Sequence, residues 1–129
     1  MTQKRKPRVL LADDELHIRA LMKAVIKSIN GEIVAEAANG QEAIDLFNEH
    51  KPDLMLLDIN MPIKTGEEAL EEVIRKYPNA LVIMLSSLSD AKSVEKCMKF
   101  GSSNFIRKDT PLDKMKDIIE QTWREFRLS

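Results

Sequence analysis

The sequence predicts an α/β fold: a single doubly wound parallel sheet of five strands, covered on both faces by five helices. Three observations carry this prediction. Short apolar runs at 8–12, 32–37, 54–58, 81–85 and 104–107 alternate with stretches whose apolar residues recur at helical spacing, and such alternation argues right-handed β-α-β crossovers onto a parallel sheet. The central runs are almost unbroken in apolar residues, as strands buried on both faces require. Glycine and proline fall in the connections or at a helix's first turn, where they punctuate the chain without interrupting an element.

Each element has its own reason. Arg8-Val9-Leu10-Leu11-Ala12 follows Pro7 and runs into Asp13-Asp14-Glu15, a buried strand ending in an acidic loop. Ile18, Leu21, Met22, Val25, Ile26 and Ile29 mark one face of the first helix, which Asn30-Gly31 is expected to stop. Residues 32–37 form the second strand, Asn39-Gly40 turns the chain, and Ala43, Leu46 and Phe47 define a helix to about His50. Lys51-Pro52 breaks that helix before Leu54-Met55-Leu56-Leu57-Asp58. Lys64-Thr65-Gly66 reads as a flexible turn, and Ala69, Leu70, Val73, Ile74 and Tyr77 as the third helix. The fourth strand ends in Ser86-Ser87. Ala91, Val94, Cys97 and Met98 mark a fourth helix closed by Gly101, and the fifth strand ends at Lys108. The last helix is expected to start with Thr110 as N-cap, Pro111 at its first position and Asp113 three after the cap.

The 129 residues fit one domain, divided into a basic N-terminal tail over 1–7 and a globular domain over 8–129. Hydrophobic residues make up 43% and charged residues 32%, which excludes a disordered chain. A net charge of −1 gives no electrostatic case for nucleic-acid binding. No apolar stretch is long enough for a signal peptide or a membrane span, and the lone Cys97 cannot form an internal disulfide, so a cytoplasmic protein is expected. The chain ends a few residues after the fifth helix, which leaves no room for an attached output module, although helix five is also where such linkers begin.

Parallel strands deliver their carboxyl ends to one edge, and ligands of open α/β sheets collect there. That edge receives Asp13 and Asp14 from strand one, Asp58 from strand three, Ser86 from strand four and Lys108 from strand five. Each is an ordinary loop residue taken alone; together they form a charge problem. Three converging carboxylates repel unless a cation intervenes, and Mg²⁺, a hard ion that takes oxygen ligands and works beside phosphoryl groups, fits the donor set. A carboxylate nucleophile, a metal, an ammonium and a hydroxyl suit phosphoryl transfer, with Asp58 attacking phosphorus and the cations neutralising the equatorial oxygens. The product is an aspartyl phosphate. His17 and His50 read as helix-surface residues, and the methionines and Trp123 as packing.

With those residues placed, the chain resembles the receiver domains of two-component response regulators, the single-domain members in particular. The motifs are Val9-Leu10-Leu11-Ala12-Asp13-Asp14-Glu15, Leu56-Leu57-Asp58-Ile59-Asn60-Met61-Pro62 with Gly66, Ile83-Met84-Leu85-Ser86-Ser87, and the stretch from Gly101 to Lys108. The resemblance covers about 8–128. It implies a flavodoxin-like sheet with the strand order 2-1-3-4-5, which the alternation alone does not fix. It implies phosphoryl transfer to Asp58 from a histidine kinase or phosphotransfer protein. Asp14 would bind Mg²⁺ (or Mn²⁺) directly, Asp13 largely through water, and the Asn60 backbone carbonyl and Asp58 would complete the protein ligands. Ser86 and Phe105 match the family's switch pair: Ser86 moves toward the phosphoryl oxygen, Phe105 turns inward, and the face made by helix four, strand five and helix five changes its affinity for a downstream protein. A monomer or weak dimer is expected.

Two positions depart from the family pattern. Lys108 precedes Asp109 where the family has a proline, so a trans bond or a strained loop is expected, with an added negative charge near the site. Leu88, two after Ser86, cannot orient an attacking water, and Asn60 can do so only in part, which implies slow to moderate self-dephosphorylation. Other classes fit less well. A phosphatase working through an aspartyl phosphate needs a second acid where Asn60 stands, and an FMN site needs a phosphate-binding loop where Asp13-Asp14-Glu15 would repel phosphate. The alternatives that remain are the receiver fragment of a larger regulator and a receiver-like scaffold that is never phosphorylated.

Overall fold

The computed structural model describes residues 6–128, with side chains through residue 126. The basic positions Lys4 and Arg5 of the expected tail lie outside the described residues. In chain order the elements are β1 (Arg8–Ala12), α1 (Leu16–Ser28), β2 (Glu32–Ala37), α2 (Gly40–His50), β3 (Leu54–Asp58), α3 (Gly66–Lys76), β4 (Val82–Ser86), a 3-10 turn (Leu88–Asp90), α4 (Ala91–Phe100), β5 (Asn104–Arg107) and α5 (Leu112–Leu128). The five strands are parallel, in the order β2-β1-β3-β4-β5. The chain leaves β1 in one direction for β2 and in the other for β3, so a crevice opens at their carboxyl ends, the switch point where such sheets bind ligands.

The period-2 alternation of the strands sorts the core into two layers. Val9, Leu11, Leu54, Leu56, Ile83, Leu85 and Ile106 face α1 and α5, meeting Ile18, Met22, Ile26, Met115 and Ile119. Leu10, Ala12, Met55, Leu57, Val82 and Met84 face the opposite helices, against Phe47, Leu70, Val73 and Cys97. Each fully buried aliphatic side chain contributes about 1.5–3 kcal/mol, which is why the central strands tolerate no polar residue before their last position. Asp58 and Ser86 are the last residues of β3 and β4.

The boundaries agree with the sequence reading in part. The first strand starts at Arg8 as expected, but Pro7, read as part of the tail, is buried and its carbonyl accepts from Glu32 N–H at 2.8 Å. α1 stops before Asn30-Gly31 as expected, with Asn30 in the left-handed conformation (φ 63°). Thr65 is no flexible turn. Its Oγ1 accepts from Glu68 N–H at 3.2 Å while Glu68 Oε1 accepts from Thr65 N–H at 2.9 Å, a reciprocal cap that starts α3. α5 begins at Leu112, with the Pro111 carbonyl accepting from Lys114 and Met115; Thr110 N–H is taken by Arg107 in the preceding turn.

Gly66 sits directly behind Asp58. A Cβ there would collide with the Asp58 carbonyl and crowd Ile59 Cα, while its N–H donates to Ile59 O at 2.8 Å. The loop between β3 and α3 is thereby pressed against the strand end that presents Asp58.

Candidate functional site

Alternation predicts which way each strand-end residue projects. Asp58 follows Leu54 and Leu56 in parity, Asp13 follows Val9 and Leu11, and Lys108 follows Ile106, so these three emerge on the same side of the sheet, that of α1 and α5. Ser86 follows Val82 and Met84 and belongs to the other side. The distances agree with this convergence. Lys108 Nζ lies 3.1 Å from Asp58 Oδ1, 3.0 Å from Asp13 Oδ2 and 2.7 Å from Glu15 Oε1. Asp13 and Asp58 are 1% and 2% exposed, and a carboxylate oxygen from each of Asp13, Asp14 and Asp58 lies within 4.8 Å of the others. Asp14 is exposed, at the mouth of the cleft.

Local hydrogen bonds fix this arrangement. Asp13 Oδ1 accepts from Glu15 N–H at 2.8 Å, and the Asp13 carbonyl accepts from Arg19 Nη1 at 2.6 Å. Asp58 Oδ1 accepts from Asn60 N–H at 3.3 Å. Asp58 Oδ2 has no hydrogen-bond partner although it is buried. Asp13 Oδ2 is also without one, since Lys108, close enough to pair as an ion, does not reach it along a hydrogen-bonding direction. Two buried carboxylate oxygens aimed into one cleft are costly unless something charged meets them.

The electrostatics carry the same message. Burial, and then the neighbouring Asp13 charge, push the Asp58 carboxyl up to about 7 against the pull of Lys108. Burial raises Asp13 as well. Burial alone would lower the Lys108 ammonium, but the hydrogen bond to Glu15, the close contact with Asp13 and the Asp58 charge overcome it and raise its pKa. Lys108 in turn holds the Glu15 carboxyl below its usual range. Asp13, Asp14, Glu15 and Asp58 are four carboxylates facing one ammonium. The all-oxygen donor set, the two orphaned oxygens and the excess negative charge fit a hard divalent cation, Mg²⁺ or Mn²⁺, held by Asp13, Asp14 and Asp58.

Lys108 needs no proline after it to reach the site. Its N–H donates to Ser86 O at 2.8 Å, which extends the β4–β5 ladder, and a turn closed by Thr110 N–H to Arg107 O at 3.0 Å follows. The described residues contain no cis peptide bond, as expected for Lys108-Asp109. The expectation that Asp109 adds charge to the site is corrected: its carboxylate is held by Arg107 at 2.6 and 3.1 Å and is largely solvent-exposed. Ser86 is 1% exposed at the end of β4. Phe105 is 39% exposed and Leu88 77% exposed, so both side chains stand in solvent.

Two residues of the site were not among the sequence candidates. Glu15 is the nearest carboxylate to Lys108, and only its place in the acidic run hinted at a role. Asp90 accepts from Asn60 Nδ2 at 2.7 Å and from Ser87 N–H at 2.7 Å; a lone aspartate between a turn and a helix carries no signal for that bond.

A parallel five-stranded sheet with an acidic cluster and a lysine at its carboxyl edge is the architecture of a receiver-type signalling module. The response regulator receiver domain pattern matches residues 9–120, and the chain belongs to that family. It is 38% identical over 114 residues to the chemotaxis protein CheY of Listeria monocytogenes, covering 88% of this chain and 96% of that one. Among solved structures, the response regulator domain of Thermotoga maritima CheB superposes with a TM-score of 0.85 at 31% identity, covering 97% of this chain and 98% of that one. CheY from the CheX-CheY-BeF3-Mg²⁺ complex of Borrelia burgdorferi superposes with a TM-score of 0.85 at 29% identity, covering 90% and 88%. The chain is thus a CheY-like receiver domain of two-component signalling, a signalling module rather than a conventional enzyme. Among the described residues no helix is long and apolar enough to cross a membrane.

Proposed function

We propose that this chain is a phosphorylation-operated binding switch that takes a phosphoryl group from a histidine kinase or phosphotransfer protein onto Asp58. The observation that carries the proposal is Asp58 Oδ2: buried, without a hydrogen-bond partner, on a carboxyl raised to about 7, beside one ammonium and two further carboxylates.

An oxygen of Asp58 attacks the phosphorus of a phosphohistidine. The N–P bond breaks, its electron pair returns to the imidazole, and the imidazole takes up a proton. Lys108, already 3.1 Å from Asp58 Oδ1, neutralises charge on the phosphoryl oxygens and favours the ionised form of Asp58 against burial and its acidic neighbour. Mg²⁺ or Mn²⁺, bound by Asp13, Asp14, Asp58 and the Asn60 backbone carbonyl, supplies further neutralisation when present. The new negative charge draws the Ser86 hydroxyl toward it. Phe105, now in solvent, turns inward behind Ser86 and reshapes the α4-β5-α5 face. Met98, Phe100, Phe105 and Leu112 on these elements are large apolar residues at least 39% exposed, a composition suited to a protein partner. The protein catalyses only its own phosphorylation and dephosphorylation.

The test is incubation with acetyl phosphate and Mg²⁺, and separately with BeF3⁻ and Mg²⁺, the pair found with CheY in the Borrelia burgdorferi complex. The expected result is one phosphoryl group per chain by intact mass, none in Asp58→Asn, and BeF3⁻-dependent shifts of Ser86 and Phe105 resonances. Labelling of Asp58→Asn at the full rate overturns the assignment.

A further inference from the structure

We propose that Asp90 is a positioning residue for loss of the phosphoryl group: it holds the Asn60 amide away from the attacking water and so prolongs the phosphorylated state. The inference rests on Asp58 as phosphoacceptor and assigns the neighbour that governs how long the group stays there.

Asp90 ends the 3-10 turn before α4 and is 7% exposed. Its Oδ1 accepts from Asn60 Nδ2 at 2.7 Å; its Oδ2 accepts from Ser87 N–H at 2.7 Å and Ser87 Oγ at 2.9 Å. Three donors on one buried carboxylate leave it no freedom to turn, and hydrogen bonds to an ionised acceptor are the strong kind. The carboxylate therefore clasps two loops together across the cleft. One arm is Asn60, two residues after Asp58; the other is Ser87, next to Ser86. Asn60 is held at both ends, its backbone N–H on Asp58 Oδ1 and its amide nitrogen on Asp90.

In hydrolysis a water oxygen attacks phosphorus and the P–O bond to Asp58 breaks. The electron pair stays on the carboxylate, and the proton of the water leaves to solvent with inorganic phosphate as product. A side chain that hydrogen-bonds the incoming water speeds this step. Leu88 has no polar side-chain atom, so the Asn60 amide is the side chain two residues from Asp58 that can hydrogen-bond an incoming water, and the clasp commits one of its two N–H donors to Asp90 and fixes the direction in which the other N–H and the amide oxygen point.

The experiment compares wild type, Asp90→Ala, Asp90→Asn, Asn60→Ala and the double variant Asn60→Ala/Asp90→Ala. Each is loaded from acetyl phosphate with Mg²⁺, freed of donor, and followed by intact mass; the Asn60 side-chain NH2 resonances are recorded without phosphoryl donor. Asp90→Ala is expected to lose the group roughly three- to tenfold faster than wild type, the worth of one hydrogen bond. Asp90→Asn, whose amide oxygen can still accept from Asn60, falls between, and Asp90→Ala adds nothing in the Asn60→Ala background. The Asn60 NH2 pair moves toward free-amide shifts in Asp90→Ala. If Asp90→Ala does not fold, Asp90→Asn with and without Asn60→Ala gives the same comparison. Decay at the wild-type rate once the NH2 pair has moved, or equal acceleration in the Asn60→Ala background, overturns the role of Asp90 alone. Absence of labelling in wild type overturns the phosphoacceptor reading, and the role of Asp90 with it.

Discussion

Replacing Asp58 by asparagine should make the metal-free protein more stable at mildly alkaline pH. In the folded chain the carboxyl is raised from 3.8 to about 7, so the folded state binds its proton more tightly than the unfolded state does. The stability this lends is fully present below the unfolded pKa and is lost as pH rises through about 7. A shift of about three units at about 1.4 kcal/mol per unit sets a loss of about 4 kcal/mol between the two limits. An amide of the same shape carries no charge and avoids that loss. Lys108 meanwhile keeps Asp13 and Glu15 as partners. We expect Asp58→Asn to exceed wild type by about 2–4 kcal/mol in urea unfolding at about pH 8 in chelator, and by less than about 1 kcal/mol near pH 4, where the folded wild-type carboxyl is protonated and the unfolded one is only partly ionised. Millimolar Mg²⁺ should narrow the gap at the higher pH by stabilising wild type more. A variant no more stable than wild type at the higher pH, or a difference that does not change with pH, would refute the reasoning.

Three further outcomes follow from local geometry. Ile63 is a β-branched residue at φ 70°, 79% exposed; Ile63→Gly should raise stability by about 1 kcal/mol in urea unfolding, and a loss would mean the loop is held by contacts of that side chain. Gly66→Ala drives a methyl into the Asp58 carbonyl and should destabilise by about 2–3 kcal/mol, so an unchanged unfolding midpoint would count against the close packing of α3 on β3. Cys97 is buried, chiefly for that reason raised to about 11, so at about pH 8 on the order of one thiol in a thousand is ionised; its alkylation should run at least about a hundredfold slower in native protein than in urea, and equal rates would refute this.

The strands and the convergence of Asp13, Asp14, Asp58 and Lys108 were legible because they depend on nearest-neighbour patterns. Apolar runs mark buried strands, and the residue that ends each run marks the sheet edge. The strand order was not legible from alternation and came from resemblance; pairing joins segments far apart in sequence. The same distance hid the Glu15–Lys108 pair, 93 residues apart, and the Asn60–Asp90 bond, 30 apart. Asp109 misled for the opposite reason: its partner, Arg107, is two residues away, but a turn geometry decides that contact and composition does not. Thr65-Gly66-Glu67-Glu68 carries a capping-box spacing, so the start of α3 was readable from local sequence.

The odd-even alternation of the strands has a consequence for how such a protein can change over generations. Asp13, Asp58 and Lys108 project on one side of the sheet and Ser86 and Phe105 on the other, so a substitution at Phe105 leaves the charge balance at Asp58 untouched. A single-residue insertion in β5 would end that independence, because a slip of one position turns Lys108 outward and brings its neighbour in.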